Sequence, residues 1–102
     1  MDVEKSGEDW KKEGNSAFTA KNYEKAIFCY SEAIKLNPKD HTYYSNRANA
    51  YSNTAEYLKC ISDCENCLAL KPSFTKALRR KGLACQQILR FGEAVAAFKT
   101  AL

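Results

Sequence analysis

The sequence predicts an all-α protein made of three stacked helix-turn-helix units, and three observations point to this fold class. First, Pro38 and Pro72 lie 34 residues apart and close two similar phrases, AIKLNP and CLALKP. Second, a shift of 34 residues aligns small residues with small ones and most large apolar residues with large ones. Third, polar residues that favour helix starts recur between the apolar segments. A repeat of this length has room for two helices.

The apolar spacing and the capping residues define the helices in order. Ser6 and Asp9 are placed to form a capping box for the first helix. Pro38 and Pro72 fall just after predicted helix ends, where proline stops a helix. The later helix starts are predicted to be capped by Asn22, Asp40, Thr54 and Ser73. The resulting helices lie at residues 7–20, 23–36, 41–53, 56–70, 74–88 and 91–102.

Length and composition limit what the chain can be. With 102 residues, 45% of them hydrophobic, it can form one domain but not two. Charged residues interrupt every apolar run, and the start MDVEKSGEDW is polar, so neither a membrane span nor a signal peptide is predicted. Five cysteines, an odd number, indicate free thiols in a reducing compartment, which favours the cytoplasm. The net charge of +4 would favour an acidic partner only if the basic residues cluster.

Three cysteines in the stretch CISDCENC raise the question of a metal site, because their spacing is one that also holds iron–sulfur clusters. The repeat argues against it, since the corresponding residues of the first unit cannot bind a metal: Ala26, Tyr30 and Ala33. On one straight helix Cys60 and Cys67 would lie roughly 10 Å apart, which is too far for a compact cluster. The sequence therefore predicts that Cys60, Cys64 and Cys67 pack in the core, with no metal and no cofactor.

The repeat units resemble a known family. Counted from Gly7, positions 4, 8, 20, 24, 27 and 32 of the first unit are Trp10, Gly14, Ala26, Tyr30, Ala33 and Pro38. This pattern resembles the consensus of the tetratricopeptide repeat (TPR). The resemblance covers almost the whole chain as one domain, residues 1–102, with repeats at about 7–40, 41–74 and 75–102, the last without its end and without a capping helix. It implies a right-handed superhelix with a concave peptide groove.

The first helix of each repeat carries the residues expected in that groove. Positions 4, 7, 8 and 11 cover one arc of the helix, and positions 2, 5, 6 and 9 cover the opposite arc, which lines the groove in this family. Arg47, at position 7, faces the neighbouring helix and is expected to be structural. Only Glu8 among the groove residues is acidic, whereas five are basic, so the groove is predicted to be positive. The twelve residues are Glu8, Lys11, Lys12, Asn15, Thr42, Ser45, Asn46, Asn49, Lys76, Arg79, Arg80 and Leu83.

Five of these residues form a recognisable constellation. Lys11 and Asn15 lie one turn apart on one helix, and Lys76 and Arg80 repeat that spacing on another. Asn46 lies on the helix between them. Three cations and two amides suit a compact dianion such as the C-terminal Asp of a peptide. The same five residues match the two-carboxylate clamp of co-chaperone TPR domains, most closely the first TPR domain of the Hop/Sti1 type. The resemblance implies binding of the Glu-Glu-Val-Asp tails of cytosolic heat-shock 70 and heat-shock 90 chaperones.

Other groove residues are candidate secondary contacts. Lys12 and Arg79 could attract the acidic residues that precede the peptide terminus. Phe18 could either form an apolar pocket for the peptide's valine or belong to the core. Asn49 and Leu83 could tune which chaperone is preferred.

Other functions were weighed against peptide binding. No Ser/His/Asp set, acidic pair, phosphate loop or metal constellation is present in the sequence, so the chain is not expected to be an enzyme. A nucleic-acid site would need exposed stacking aromatics, whereas most aromatics occupy core positions of the repeat. Neither a membrane nor a small-molecule substrate is predicted. The remaining alternatives are a TPR scaffold for another acidic peptide and the targeting domain of a larger enzyme, such as a TPR phosphatase or ubiquitin ligase.

Overall fold

Five α-helices follow one another in the structure, a computed structural model that describes residues 4–101 and the side chains of residues 4–93. Each helix packs against the next one along the chain, so that α1 pairs with α2, α3 pairs with α4, and α5 packs on α4. The predicted all-α fold of stacked helices is therefore confirmed. The helices are α1 Gly7–Thr19, α2 Tyr23–Leu36, α3 His41–Asn53, α4 Tyr57–Leu70 and α5 Thr75–Ala101.

The first three helices begin where the sequence predicts. Ser6 Oγ accepts a hydrogen bond of 3.1 Å from the backbone N–H of Asp9, and the Asp9 carboxylate accepts one of 2.9 Å from the N–H of Ser6. This reciprocal capping box satisfies two backbone donors at the start of α1. Asn22 and Asp40 cap α2 and α3 with their side-chain oxygens. These three caps are confirmed.

The caps predicted for the next two helices were wrong. Thr54 instead ends α3, and its hydroxyl donates to the Glu56 carboxylate at 2.8 Å. Ala55 then takes a left-handed φ of 59°, so that the chain turns and Glu56 becomes the residue before α4. Ser73 lies one residue too early, because Phe74 directly precedes α5. Both observed positions are the repeat equivalents of the confirmed caps, so the repeat spacing was the better guide than the residue type.

The two helices predicted for the third repeat, at 74–88 and 91–102, form a single helix up to residue 101. In the first two repeats a residue with a left-handed φ opens the turn, namely Lys21 (φ 62°) and Ala55 (φ 59°). The equivalent dipeptide is Leu89–Arg90, two good helix formers, and an arginine side chain has no acceptor with which to cap a new helix. The predicted turn is therefore absent, and the predicted helix end lies outside the described residues. Within residues 4–101, no helix is long and apolar enough to cross a membrane.

The cysteines of α4 form the packing seam that the repeat predicted. Cys60, Cys64 and Cys67 are each 0% exposed. They form one buried cluster with alanines of the two flanking helices: Ala48, Ala77 and Ala84. The hydrogen bond with Cys60, together with burial, raises the pKa of the Cys64 thiol, and burial raises the pKa of Cys67. Cys64 and Cys67 therefore stay protonated at neutral pH, and protonated thiols are poor metal ligands. The core role is confirmed.

A buried ion pair joins three helices. Arg47 of α3 donates from Nε and Nη2 to the two carboxylate oxygens of Asp63 on α4, at 2.7 and 2.8 Å. Its Nη1 donates to Ser31 Oγ of α2 at 3.0 Å. The Asp63 side chain is 3% exposed. The predicted structural role of Arg47 is confirmed, since this fork ties the first repeat to the second.

Two glycines at the same repeat position are expected to respond oppositely to alanine. A Cβ on Gly14 would lie 2.6 Å from Cε1 of the buried Tyr30 ring, whereas a Cβ on Gly82 would have none of the described atoms within 4 Å. Gly14→Ala should therefore lower the free energy of unfolding by about 1–3 kcal/mol through overpacking. Gly82→Ala should raise it by about 0.5–1 kcal/mol, because alanine is the better helix former.

Urea unfolding of both variants, followed by circular dichroism, measures this difference. Each variant serves as the control for the other, because the substitution and the repeat position are the same. Shifts of the same sign in the two variants would contradict the packing described for Gly14.

Candidate functional site

A polar cleft of about 320 Å³ lies between α3 and α5, a volume at the small end of ligand-binding pockets. Seven of its eight lining residues belong to the arc that the sequence predicted. Thr75 was missed, because it opens α5 one position before that arc. The lining residues are Ser45, Asn46, Asn49, Thr75, Lys76, Arg79, Arg80 and Leu83.

The cleft is polar because the opposite faces of its two helices are used for packing. Ala48 of α3 and Ala77 and Ala84 of α5 are buried against the cysteine seam of α4. Residues three or four positions apart share one helix face, so Lys76 and Arg80 lie side by side on α5, away from the core. Packing of the small residues thus fixes where the amides and cations point.

The cations of the cleft are not neutralised by the protein. Lys76, Arg79 and Arg80 take part in none of the ion pairs between described residues. The cations in those pairs are Lys5, Lys11, Lys25, Lys35, Arg47, Lys59 and Lys81. The cleft therefore presents three positive charges next to the amides of α3, an arrangement that can bind an anion through charge-assisted hydrogen bonds.

Lys11 and Asn15 lie on α1 and do not line this cleft. Asn15 is nevertheless held in place, because the hydroxyl of Tyr30 donates to its Oδ1 at 2.6 Å. Burial raises the pKa of Tyr30 to about 12, so the hydroxyl keeps its proton at neutral pH. With the amide oxygen engaged, the Asn15 NH₂ group is left to donate to a ligand. Sequence reasoning assigned Tyr30 to packing alone, and the only signal for more was that a buried tyrosine hydroxyl needs a partner.

Lys11 is paired within the protein, unlike the three cations of the cleft. Its Nζ lies 2.8 Å from Glu8 Oε2. Glu8 Oε1 also accepts a hydrogen bond of 3.0 Å from the hydroxyl of Tyr43 on α3. These hydrogen bonds from Lys11 and Tyr43 lower the pKa of the Glu8 carboxyl. The contact of Glu8 with Tyr43 was not foreseen from the sequence, because it joins residues of two different repeats.

The secondary candidates divide into two groups. Three of them line the cleft: Asn49, Arg79 and Leu83. Lys12 is exposed on α1. Phe18 packs against the core cluster that contains Ala17 and Tyr30, and its ring meets Tyr23 edge-on with centroids 5.4 Å apart. Phe18 therefore contributes to the core, and its contact with a peptide stays a prediction.

A second cavity, of about 350 Å³, lies between the start of α4 and α5. Its walls are mainly apolar, and the two charged lining residues, Glu56 and Lys59, pair with each other at 3.2 Å. It lacks the converging unpaired polar groups that orient a ligand. Within the described residues, no three His, Cys, Asp or Glu side chains are placed to hold a metal ion. The cleft between α3 and α5 is therefore the better candidate site.

Comparison with known proteins supports the same location. A family model described as TPR repeat matches residues 14–54, and one described as tetratricopeptide repeat matches residues 41–74. Small glutamine-rich tetratricopeptide repeat-containing protein 2 of Saccharomyces cerevisiae is 40% identical over 95 residues, which make up 93% of this chain. The chain spans only 28% of the length of that relative.

Two solved structures are similar in both fold and sequence. The first TPR domain of Spaghetti (RPAP3), bound to the HSP90 peptide SRMEEVD, has a TM-score of 0.80 and 33% identity, with 86% of this chain and 70% of that chain covered. The TPR2B domain of yeast Sti1, in complex with pHsp70, has a TM-score of 0.80 and 30% identity, with 93% and 76% covered.

Proposed function

The chain belongs to the tetratricopeptide-repeat family, and from that premise we propose that it is a co-chaperone module that binds the C-terminal Glu-Glu-Val-Asp tails of heat-shock 70 and heat-shock 90 chaperones. The module acts by binding, without catalysis and without a cofactor, in the cytoplasm where these chaperones are found. Its contacts are a two-carboxylate clamp made of Lys11, Asn15, Asn46, Lys76 and Arg80.

One observation carries this proposal: the cleft between α3 and α5 holds three unpaired cations beside the side chains of Asn46 and Asn49. A cationic cleft of this size suits a compact anion rather than a long nucleic acid, which would need exposed stacking surfaces. The C-terminal Asp of a peptide carries two carboxylates on one residue. Ammonium, guanidinium and amide donors can each hydrogen-bond to carboxylate oxygens.

The residues of α1 extend the same ligand site. Asn15 has its amide oxygen bound to Tyr30, which leaves its two N–H donors available. Lys11 is 25% exposed and can reach a ligand. The contact of Glu8 with Tyr43 links α1 to α3, so the donors of α1 are held beside those of α3.

The two similar solved structures agree with the proposed ligand. One contains an HSP90 peptide that ends in Glu-Glu-Val-Asp, and the other is a complex with pHsp70. We infer that this chain can bind both classes of tail, with Asn49, Arg79 and Leu83 of the cleft in position to influence the preference. Lys12 and Phe18 are proposed as outer contacts.

The proposal is tested with two peptides of identical sequence that end in Glu-Glu-Val-Asp, one with a free C-terminal carboxylate and one amidated. Isothermal titration calorimetry should show at least about ten-fold weaker binding of the amide, because a charge-assisted hydrogen bond contributes about 1.5–3 kcal/mol. Affinity for the free acid should also fall as salt is raised, since the cleft is open to solvent.

Other results would point elsewhere. Equal affinity for the free acid and the amide would exclude the clamp. Preference for a different acidic peptide would leave a TPR scaffold with another partner. Oligonucleotide binding that the peptide does not displace would indicate a separate nucleic-acid surface.

A further inference from the structure

Glu8 has a position in the groove that the clamp alone does not explain. It is the only acidic residue on the predicted groove arc, and its carboxylate lies 2.8 Å from the ammonium of Lys11, a proposed clamp residue. Residues four and seven positions apart share one helix face, so Glu8 lies on the same face as Lys12 and Asn15. The groove therefore contains one built-in carboxylate beside a cation proposed for the ligand.

The Glu8 carboxylate is held more firmly than an ordinary surface ion pair. Its second oxygen accepts the hydrogen bond from Tyr43, a residue that is only 2% exposed. The Tyr43 hydroxyl is itself confined, because a Cβ on Gly7 would lie 2.7 Å from it. Burial raises the pKa of Tyr43 to about 12, so this donor persists at neutral pH. Glu8 also lies in the first turn of α1, where the helix dipole favours a negative charge.

We propose that Glu8 is an internal competitor for Lys11, which lowers the affinity of the groove for anions and sets how much negative charge a ligand must bring. The inference rests on the proposed function. In the free protein the Glu8 carboxylate takes the Lys11 ammonium as its partner. A ligand carboxylate must displace it or share Lys11 with a like charge nearby, and like charges at such distances repel. Lys76 and Arg80 carry no such internal partner among the described residues, so the two sides of the clamp differ in their cost of engagement.

The consequence is a preference among ligands. A dianionic terminus can offset the repulsion from Glu8 by binding Lys76 and Arg80 at the same time. A ligand with a single carboxylate near Lys11 cannot. Glu8 thereby selects for peptides with two adjacent carboxylates over peptides with one.

Glu8→Gln tests this directly, because glutamine keeps an oxygen that can accept from Tyr43 and removes only the charge. The matched control is Glu13→Gln on the same helix, since Glu13 pairs with Lys5 and Lys25 away from the groove. Both variants change the net charge by the same amount. Calorimetry with the free-acid peptide should show about two- to ten-fold tighter binding for Glu8→Gln and less than about 1.5-fold change for Glu13→Gln. The ratio of affinities for the free-acid and amidated peptides should shrink in Glu8→Gln.

Each other outcome overturns the proposal in a distinguishable way. Equal gains in the two variants would mean that only overall charge matters. Weaker binding by Glu8→Gln would mean that Glu8 positions Lys11 for the ligand. Either result, with the preference for the free acid intact, leaves the proposed function standing. If no variant prefers the free acid, the proposed function fails and this inference fails with it. Circular dichroism of both variants checks that α1 stays folded.

Discussion

Asp63→Ala should lower the free energy of unfolding by about 3–5 kcal/mol, the largest single effect expected in this protein. The Asp63 carboxylate is almost fully buried and accepts both bonds of the Arg47 fork. Removing it leaves a guanidinium with 20% side-chain exposure and no carboxylate partner between α3 and α4. A buried charge without its partner is far costlier than the pair was favourable. Urea unfolding at neutral pH, followed by circular dichroism, measures the loss.

The control lies two residues away on the same helix. Glu65 also pairs with a cation, Lys81 of α5, but at 3.6 Å and with both side chains largely exposed. Glu65→Ala should therefore change stability by less than about 1 kcal/mol. Similar losses in the two variants would show that burial of the Arg47–Asp63 pair has no special weight in the fold.

Lys76→Ala should weaken binding of the free-acid peptide by about ten- to a hundred-fold while leaving the helical signal unchanged. Lys76 lines the cleft and has no internal ion pair among the described residues, so its charge is available to the ligand. Loss of one charge-assisted hydrogen bond costs about 1.5–3 kcal/mol. The fold should not suffer, because Lys76 is exposed in the first turn of α5, where a cation does not favour the helix. Calorimetry gives the affinity and circular dichroism the fold.

A second lysine of α5 provides the matched variant. Lys81 lies outside the cleft and pairs with Glu65, so Lys81→Ala removes the same charge from the same helix without touching the proposed ligand site. It should change affinity by less than about two-fold. A comparable loss in both variants would indicate general electrostatic attraction rather than a specific contact. Repeating Lys76→Ala with the amidated peptide shows whether Lys76 and the terminal carboxylate act together, since coupled groups give non-additive losses.

Most of the fold follows from the sequence because the same packing problem recurs every 34 residues. Small residues at equivalent positions place α1 to α4 to within a residue of the predictions. Errors arose where residue type was preferred to repeat spacing, as at Thr54 and Ser73. The third repeat failed for a different reason. Its helix boundary depends on a turn that needs a left-handed residue and a cap, and Leu89–Arg90 supplies neither.

The candidate site was predictable to the extent that it depends on helix faces. A periodicity of about 100° per residue is enough to place Asn46, Lys76 and Arg80 on one side of their helices, and these three line the cleft. The contacts of Tyr30 and Tyr43 were not predictable in this way. They depend on where a phenol hydroxyl ends, about 6 Å from its backbone, and thus on how helices of different segments approach each other. Periodicity contains no information about that distance.

The cysteine seam has a consequence for the ligand site that its chemistry does not suggest. Cys60, Cys64 and Cys67 fill the space between α3 and α5, so their volume fixes the spacing of the two helices. One helix carries Asn46 and the other carries the cations of the cleft. A larger side chain in the seam would therefore widen the gap between donor groups that it never touches. The span of the clamp is calibrated from behind, by thiols whose smallness serves as its ruler.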